Sequence, residues 1–424
     1  MWKARRRLMP SSMRSLLVGL AVVGSLGIET AALAADRPIT FAEAVALADR
    51  NPRVLAGREA SRSLARSHDA SPAMDANPVV AVAAGPRVAP SSERGLEGSV
   101  SLSQSISLQG AAARRKDALG AESEWLSADV DADLTARRLA AASTWLALWE
   151  AERQLAVVAT DLANEEELVR LVARLASVRE RTEADLATAE ARLADAKLRE
   201  RMAEGSLVEA QARFGAEMRA ADGDALRTEG SPPEFAMVDG EREQLLLATS
   251  ALPAVRAKEL LARSELFRAN EERAARGTRL TVGAELRRDA LDANVVQGTL
   301  SLPLPIFAVG AREYASRSAA SVRLAGEAVD EQGRARAALA FAFHEVEHTE
   351  EVFQLLVTRL VPAAERAASL RERQLKVGEG TLLDVIDARR GVLEARTRLV
   401  RATRERSWAR IYIRLLSEMT RGAR

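Results

Sequence analysis

The 424-residue chain has no cysteine, two tyrosines, three histidines and thirteen prolines. Without cysteine there is no disulfide, no thiolate metal site, no thiol nucleophile and no lipid-modified cysteine behind a signal segment. Charge of one sign is lacking too. Sixty-one Lys and Arg against sixty Asp and Glu leave a net charge of +1, which argues against nucleic acid as a partner. Beyond residue 35 no apolar run approaches the ~18 residues a membrane helix needs, so the mature chain either leaves the inner membrane or crosses a membrane as a barrel. There is no Gly-rich phosphate loop and no nucleophile elbow, and no cofactor is expected.

The first 35 residues read as a secretory signal. Lys3, Arg5, Arg6, Arg7 and Arg14 precede an apolar stretch over 15–28, and Ala32, Leu33 and Ala34 supply a cleavage site after Ala34 or Ala35. The rest says nearly the same thing twice. Val100-Ser-Leu-Ser-Gln-Ser-Ile106 with Gly110 aligns with Leu300-Ser-Leu-Pro-Leu-Pro-Ile306 with Gly310, and an Asn51-Pro52 or Leu252-Pro253 helix precedes each. A period of this size marks a duplicated half, not a small repeat. The halves are expected at 36–221 and 245–424, joined by a linker over 222–244 that carries Pro232 and Pro233.

Each half opens with a helix. Thr40 is placed to cap the first, with Glu43 three residues on. Two alternating strands follow in each half, at about 78–86 and 98–109, then about 279–288 and 295–307. Val100, Leu102, Ile106 and Leu108 share one face of the clearest strand, and Ser99, Ser101, Ser103, Ser105 and Ser107 the other. Such a strand suits lipid on one side and a wet lumen on the other, or one half-buried side of a soluble sandwich. On the membrane reading, four strands cannot close a barrel and open edges are not tolerated in lipid, so several chains must contribute.

The remainder, about 111–220 and 311–419, is helical, with turns near Val178 to Thr182 and Gly378 to Gly380 and a kink at Pro362. Heptads run through Val385, Ala388, Val392, Ala395, Leu399, Ala402, Arg406, Ala409, Ile413 and Leu416, and through Leu148, Leu155, Leu162 and Val169. A coiled-coil hairpin in each half follows.

Two strand pairs and two long hairpins behind a signal resemble the TolC family of outer-membrane efflux proteins. Ala44 to Arg53 is similar to the family's opening segment, Ser301 to Phe307 to its second-half strand, and Leu375 to Ala388 to its hairpin-turn signature. The resemblance covers the whole mature chain. It implies a mainly α fold with transmembrane β: a homotrimer whose twelve strands close one barrel in outer-membrane lipid, continued by a helical barrel in the periplasm. It further implies a passive duct, not an enzyme, coupled through a periplasmic adaptor to an inner-membrane pump of RND or ABC type, with heavy-metal cations or drugs as cargo. A type I secretion channel and a periplasmic adaptor are the alternatives. The resemblance places adaptor docking at Val178, Arg179, Thr182, Val377, Gly378, Glu379, Gly380 and Thr381, and a periplasmic gate at Asp384 and Asp387. The first turn lacks the glycine of the second. Two Asp in a first helical turn would also complement the helix dipole.

His344, Glu345 and His348 match the zinc-peptidase pattern of two ligands one turn apart with a glutamate between. The third ligand and the extended continuation are missing, and no cleft-forming sheet lies beside the motif. It is read as incidental, with no metal assigned.

Overall fold

The computed structural model describes residues 38–74, 76–88, 94–219, 226–237, 240–288, 293–303 and 311–422; the signal segment and the Leu304 to Gly310 part of the repeat lie outside them. The first half comprises β1 (Pro38–Thr40), α1 (Phe41–Leu47), α2 (Pro52–Asp69), β2 (Val79–Val88), β3 (Arg94–Ser107), α3 (Ala111–Ser177) and α4 (Glu183–Met218). The second repeats the order as β4 (Arg227–Glu229), α5 (Glu241–Leu247), α6 (Pro253–Ala275), β5 (Arg279–Arg288), β6 (Asn294–Ser301), α7 (Ala311–Leu355), α8 (Val361–Lys376) and α9 (Leu382–Gly422).

Local chemistry sets the helix starts. Thr40 and Glu43 close a reciprocal capping box, with Glu43 N donating to Thr40 Oγ1 at 3.2 Å and Thr40 N to Glu43 Oε2 at 3.1 Å. Asn51 Oδ1 accepts from Arg53 N at 3.0 Å, and Pro52 fills the first helical position, where its missing N–H costs nothing. The 67 residues of α3 contain no proline and make a rod of about 100 Å. In the second half the rod is interrupted at Pro362, which cannot donate to the turn behind it. A wider π turn over Leu356–Leu360 absorbs the mismatch before α8 resumes.

The large sheet has the order β2-β3-β5-β6, every pair antiparallel, so among the described residues β2 and β6 are open edges. Ala81, Ser101, Glu285 and Gln297 form one row across it, and Val82, Val100, Leu286 and Val296 the next. β3 leads through a short turn into α3, and α2 and α6 pack on the near part of α3, where Arg268 pairs with Glu122. Farther along, α3 turns back into α4 and packs on α9.

A parallel ladder of β1 and β4, three residues each, joins the halves midway. Trp145 Nε1 donates to the Ile39 carbonyl at 2.8 Å, and Ile39, Ala44, Trp145, Leu146, Phe214 and Ile411 form the core beneath. Each large side chain buried there contributes about 1.5–3 kcal/mol. Leu245, Val255, Leu339, Phe343 and Ile413 make a second core, and Leu168, Val172, Ala189, Leu375, Leu382, Val385 and Ile386 a third at the hairpin ends.

Four expectations change. The linker of 222–244 contains β4 and the start of α5, so the second half begins earlier, with β4 as the counterpart of β1. Of the strand expected at 295–307 the described part ends at Ser301, because Pro303 has no N–H to offer a ladder, and Leu304 to Phe307 lie outside the described residues. The strand expected at 98–109 starts at Arg94 and ends at Ser107. In α3 the heptad of Leu148, Leu155, Leu162 and Val169 drifts to the margin of the core: Leu148 is buried, the other three are half-buried, and the buried positions become Asp161, Glu165, Leu168 and Val172. A straight α-helix drifts about 20° per heptad, enough to carry a strict seven-residue stripe off its seam within a few turns.

Candidate functional site

The tips of the two hairpins are built alike from unlike residues. In the second, Glu379 N donates to Gln374 O at 3.0 Å and Gly378 N to Leu375 O at 3.2 Å, a Schellman ending with Gly378 at φ 80°. In the first, Glu180 N donates to Leu175 O at 2.9 Å and Arg179 N to Ala176 O at 3.0 Å, with Arg179 at φ 63°. The missing glycine therefore does not alter the turn; Arg179 adopts the left-handed conformation instead.

Both turns then close with a capping box. Thr182 Oγ1 donates to Asp185 Oδ2 at 2.9 Å and accepts from Asp185 N at 3.1 Å. Thr381 Oγ1 donates to Asp384 Oδ2 at 2.8 Å and accepts from Asp384 N at 3.2 Å. Hydrogen bonds from Thr381 hold the Asp384 carboxyl below its ordinary value, and those from Thr182 do the same for Asp185. The fold brings the tips together: Arg181 Nη2 donates to Gly380 O at 3.2 Å, and the third core lies directly behind. Val178, Val377 and Leu383 stand exposed at the end. Leu383 was missed in the sequence, where the heptad reading drew attention only to the buried side of α9.

Asp384 and Asp387 differ in their surroundings. Asp384 has a capping role, mirrored by Asp185 in the other half. Asp387 is exposed and makes no hydrogen bond or ion pair among the described residues; its counterpart Thr188 bonds back to the Ala184 carbonyl.

The sheet is inside out for a water-soluble domain. On one face Val80, Val82, Leu96, Val100, Leu102, Leu286, Val296 and Leu300 are exposed, Leu96 at 80 % and Val296 at 77 %, and no described residue packs over them. Gln104 interrupts this face, its amide tied to the Ala76 carbonyl at 2.8 Å. The opposite face carries the half-buried serines. There Ser105 Oγ meets Thr281 Oγ1 at 2.8 Å, Arg287 pairs with Glu97 at 3.1 Å, and Gln297 donates to Glu285 at 2.8 Å.

His344 and His348 lie on an exposed face of α7, their rings parallel and 6.1 Å apart, while Glu345 points to a different side. Among the described residues no three His, Asp or Glu side chains gather in a metal-holding group, and no helix is long and apolar enough to cross a membrane.

No family profile matches the chain, and no curated protein matches it. Solved structures do. A membrane protein from Pseudomonas aeruginosa superposes with a TM-score of 0.69 at 18 % identity, over 89 % of this chain and 93 % of that one. The outer membrane protein VceC of Vibrio cholerae gives 0.67 at 17 %, over 89 % and 96 %, and the CmeC outer membrane channel of Campylobacter jejuni 0.69 at 15 %, over 90 % and 86 %. The chain therefore has the fold that the resemblance to the TolC family implied, over nearly its whole described length.

Proposed function

We propose that this chain, folded as the outer-membrane channels are, closes one outer-membrane barrel from three copies and serves as the passive exit duct of a tripartite export system. The inside-out sheet carries the reading. An uncovered apolar face beside a serine face, with β2, β3 and β5 each ten residues or longer and so able to span a bilayer, needs lipid on one side and water on the other. The open edges of β2 and β6 need partners, and three four-stranded sheets joined edge to edge give twelve strands. The long hairpins then extend into the periplasm. Two hairpins and a membrane sheet also favour a duct over an adaptor, which would show a single hairpin.

The tips, with Val178, Arg179, Thr182, Val377, Gly378, Glu379, Gly380 and Thr381, form the docking end for an adaptor, which connects an inner-membrane pump of RND or ABC type. Heavy-metal cations or drugs are the cargo. Asp387, with Asp384 beside it, supplies the gate: three copies would set six carboxylates at a narrow opening, a field that draws cations and repels anions. Asp387 carries this part of the proposal, since capping already accounts for Asp384.

The test is conductance of the purified protein in planar lipid together with membrane fractionation. Heat-modifiable trimers in the outer membrane and cation-selective conductance are expected, and Asp384→Ala with Asp387→Ala should lower the selectivity several-fold. A soluble periplasmic monomer would sink the duct; unchanged selectivity in the double variant would sink the gate.

A further inference from the structure

Glu165 lies in α3 about three turns before the first tip. It is fully buried, and among the described residues neither carboxylate oxygen has a hydrogen-bond partner. The charged groups facing it are Asp161 from α3, Arg192 and Arg199 from α4, and Arg389 from α9, with Asp195 of α4 and Glu372 of α8 behind them.

In charge those groups are already matched, although Arg192 and Arg199 each keep a buried Nε–H with no described partner. Arg199 pairs with Asp161 at 2.8 Å and with Asp195, and Arg192 pairs with Asp195 at 3.4 Å. Arg389 pairs with Glu372 at 2.7 Å and donates to the Asn164 carbonyl at 2.6 Å. Three arginines thus meet three carboxylates, and Glu165 is a fourth acid with no cation left over. The cluster is neutral only while Glu165 keeps its proton. Room to rearrange adjoins it: a cavity of ≈ 350 Å³ is lined by Asp161, Asn164, Glu372 and Arg389 among others.

We propose that Glu165 is a proton-operated latch between the two hairpins: protonated, it lets α3, α4 and α9 pack as seen; ionised, it leaves a surplus buried charge that loosens α3 from α9 above the tips. Burial pushes the Glu165 carboxyl upward, against the pull of Arg389, Arg192 and Arg199. An acid raised in the folded state stabilises the packed form below its unfolded value, and that stabilisation is lost as pH rises through the raised one. The latch is therefore closed in acid and released toward alkaline pH. Its consequence, parting of the tips, rests on the duct reading; the latch itself does not.

Hydrogen–deuterium exchange tests it on the full chain, wild type against Glu165→Gln at the same pH so that intrinsic rates cancel. At about pH 8 the amides of 161–177 and 382–393 should exchange at least about threefold faster in the wild type, and at about pH 5 the two proteins should match. An equal ratio at both pH values, or slower wild-type exchange at the higher one, overturns the latch. Glu165→Leu has no proton to lose and carries the same expectation if the glutamine variant fails to fold. In lipid, conductance of the wild type should rise with pH and that of Glu165→Gln should not. A wild type that does not conduct at all counts against the duct and leaves the exchange result in force.

Discussion

Arg179 and Gly378 occupy equivalent places in the two tips, at φ 63° and φ 80°, and only one of them is suited to that conformation. A side chain with a Cβ is strained there by about 1 kcal/mol, whereas glycine is not. Arg179→Gly should therefore slow local opening of the first tip. Gly378→Ala should speed opening of the second by a similar amount, since a Cβ there meets nothing and only the backbone objects. Gly380 is different: a Cβ would stand 3.0 Å from Leu375 N and 3.1 Å from Gln374 Cβ, so Gly380→Ala should cost more than strain alone. Limited proteolysis at the tips measures all three, and an unchanged or faster cleavage of Arg179→Gly would refute the assignment. The capping boxes add a pH dependence of opposite sign to that of Glu165. Asp185 and Asp384 are held low, so their contribution is present above the ordinary carboxylate range and lost as pH falls through the depressed values.

At the scale of elements, the two faces of β3 predict opposite tolerance. Leu102→Arg puts a cation on the exposed apolar face, where lipid would penalise it by about 2–4 kcal/mol near the bilayer centre. Ser101→Arg puts the same cation on the serine face, beside Glu285 across the ladder, and should be carried without loss of the heat-modifiable form. Loss in Ser101→Arg alone would mean that the faces are reversed, and loss in neither variant that the strand lies outside lipid. These strands were legible because their period of two is unbroken and their serines are so regular. The rods were legible because proline is missing where it would stop them. What escaped was either short or tertiary. β1 and β4 are three residues each, too brief for any period, and are held by Trp145 and a pairing 189 residues away. Asp161 and Glu165 sit in α3's seam at the spacing of Leu168 and Val172, yet a reading that looks for apolar residues passes over acids. Counting the 3-4 spacing backward from Val172 and Leu168 would have found them.

For the whole molecule, the order of helices leaves two flanks. Away from the sheet, α4 packs on α3, α3 on α9 and α9 on α8, so α4 and α8 end the row as β2 and β6 end the sheet. Each flank carries large apolar side chains that no described residue covers. On α4, Leu198 and Met202 are 60 % and 66 % exposed, on the side opposite buried Ala189, Ala196 and Phe214. On the other flank Val329, Phe341 and Leu355 of α7 and Leu370 of α8 are exposed. Sheet edges and helix flanks lie at the same two ends of one chain, so a neighbouring copy would satisfy both at once, and a ring of copies would leave neither unsatisfied. Met202→Glu tests this without touching the monomer's own core. A carboxylate enclosed between copies without a partner costs several kcal/mol, enough to split the ring, whereas on a free surface it costs nearly nothing. Light scattering on purified protein should show a trimer for the wild type and monomer for Met202→Glu, with helicity by circular dichroism unchanged. An intact trimer in the variant would place the contact elsewhere on the flank. A monomeric wild type would remove the ring, and with it the only arrangement in which the edges of β2 and β6 can lie in lipid.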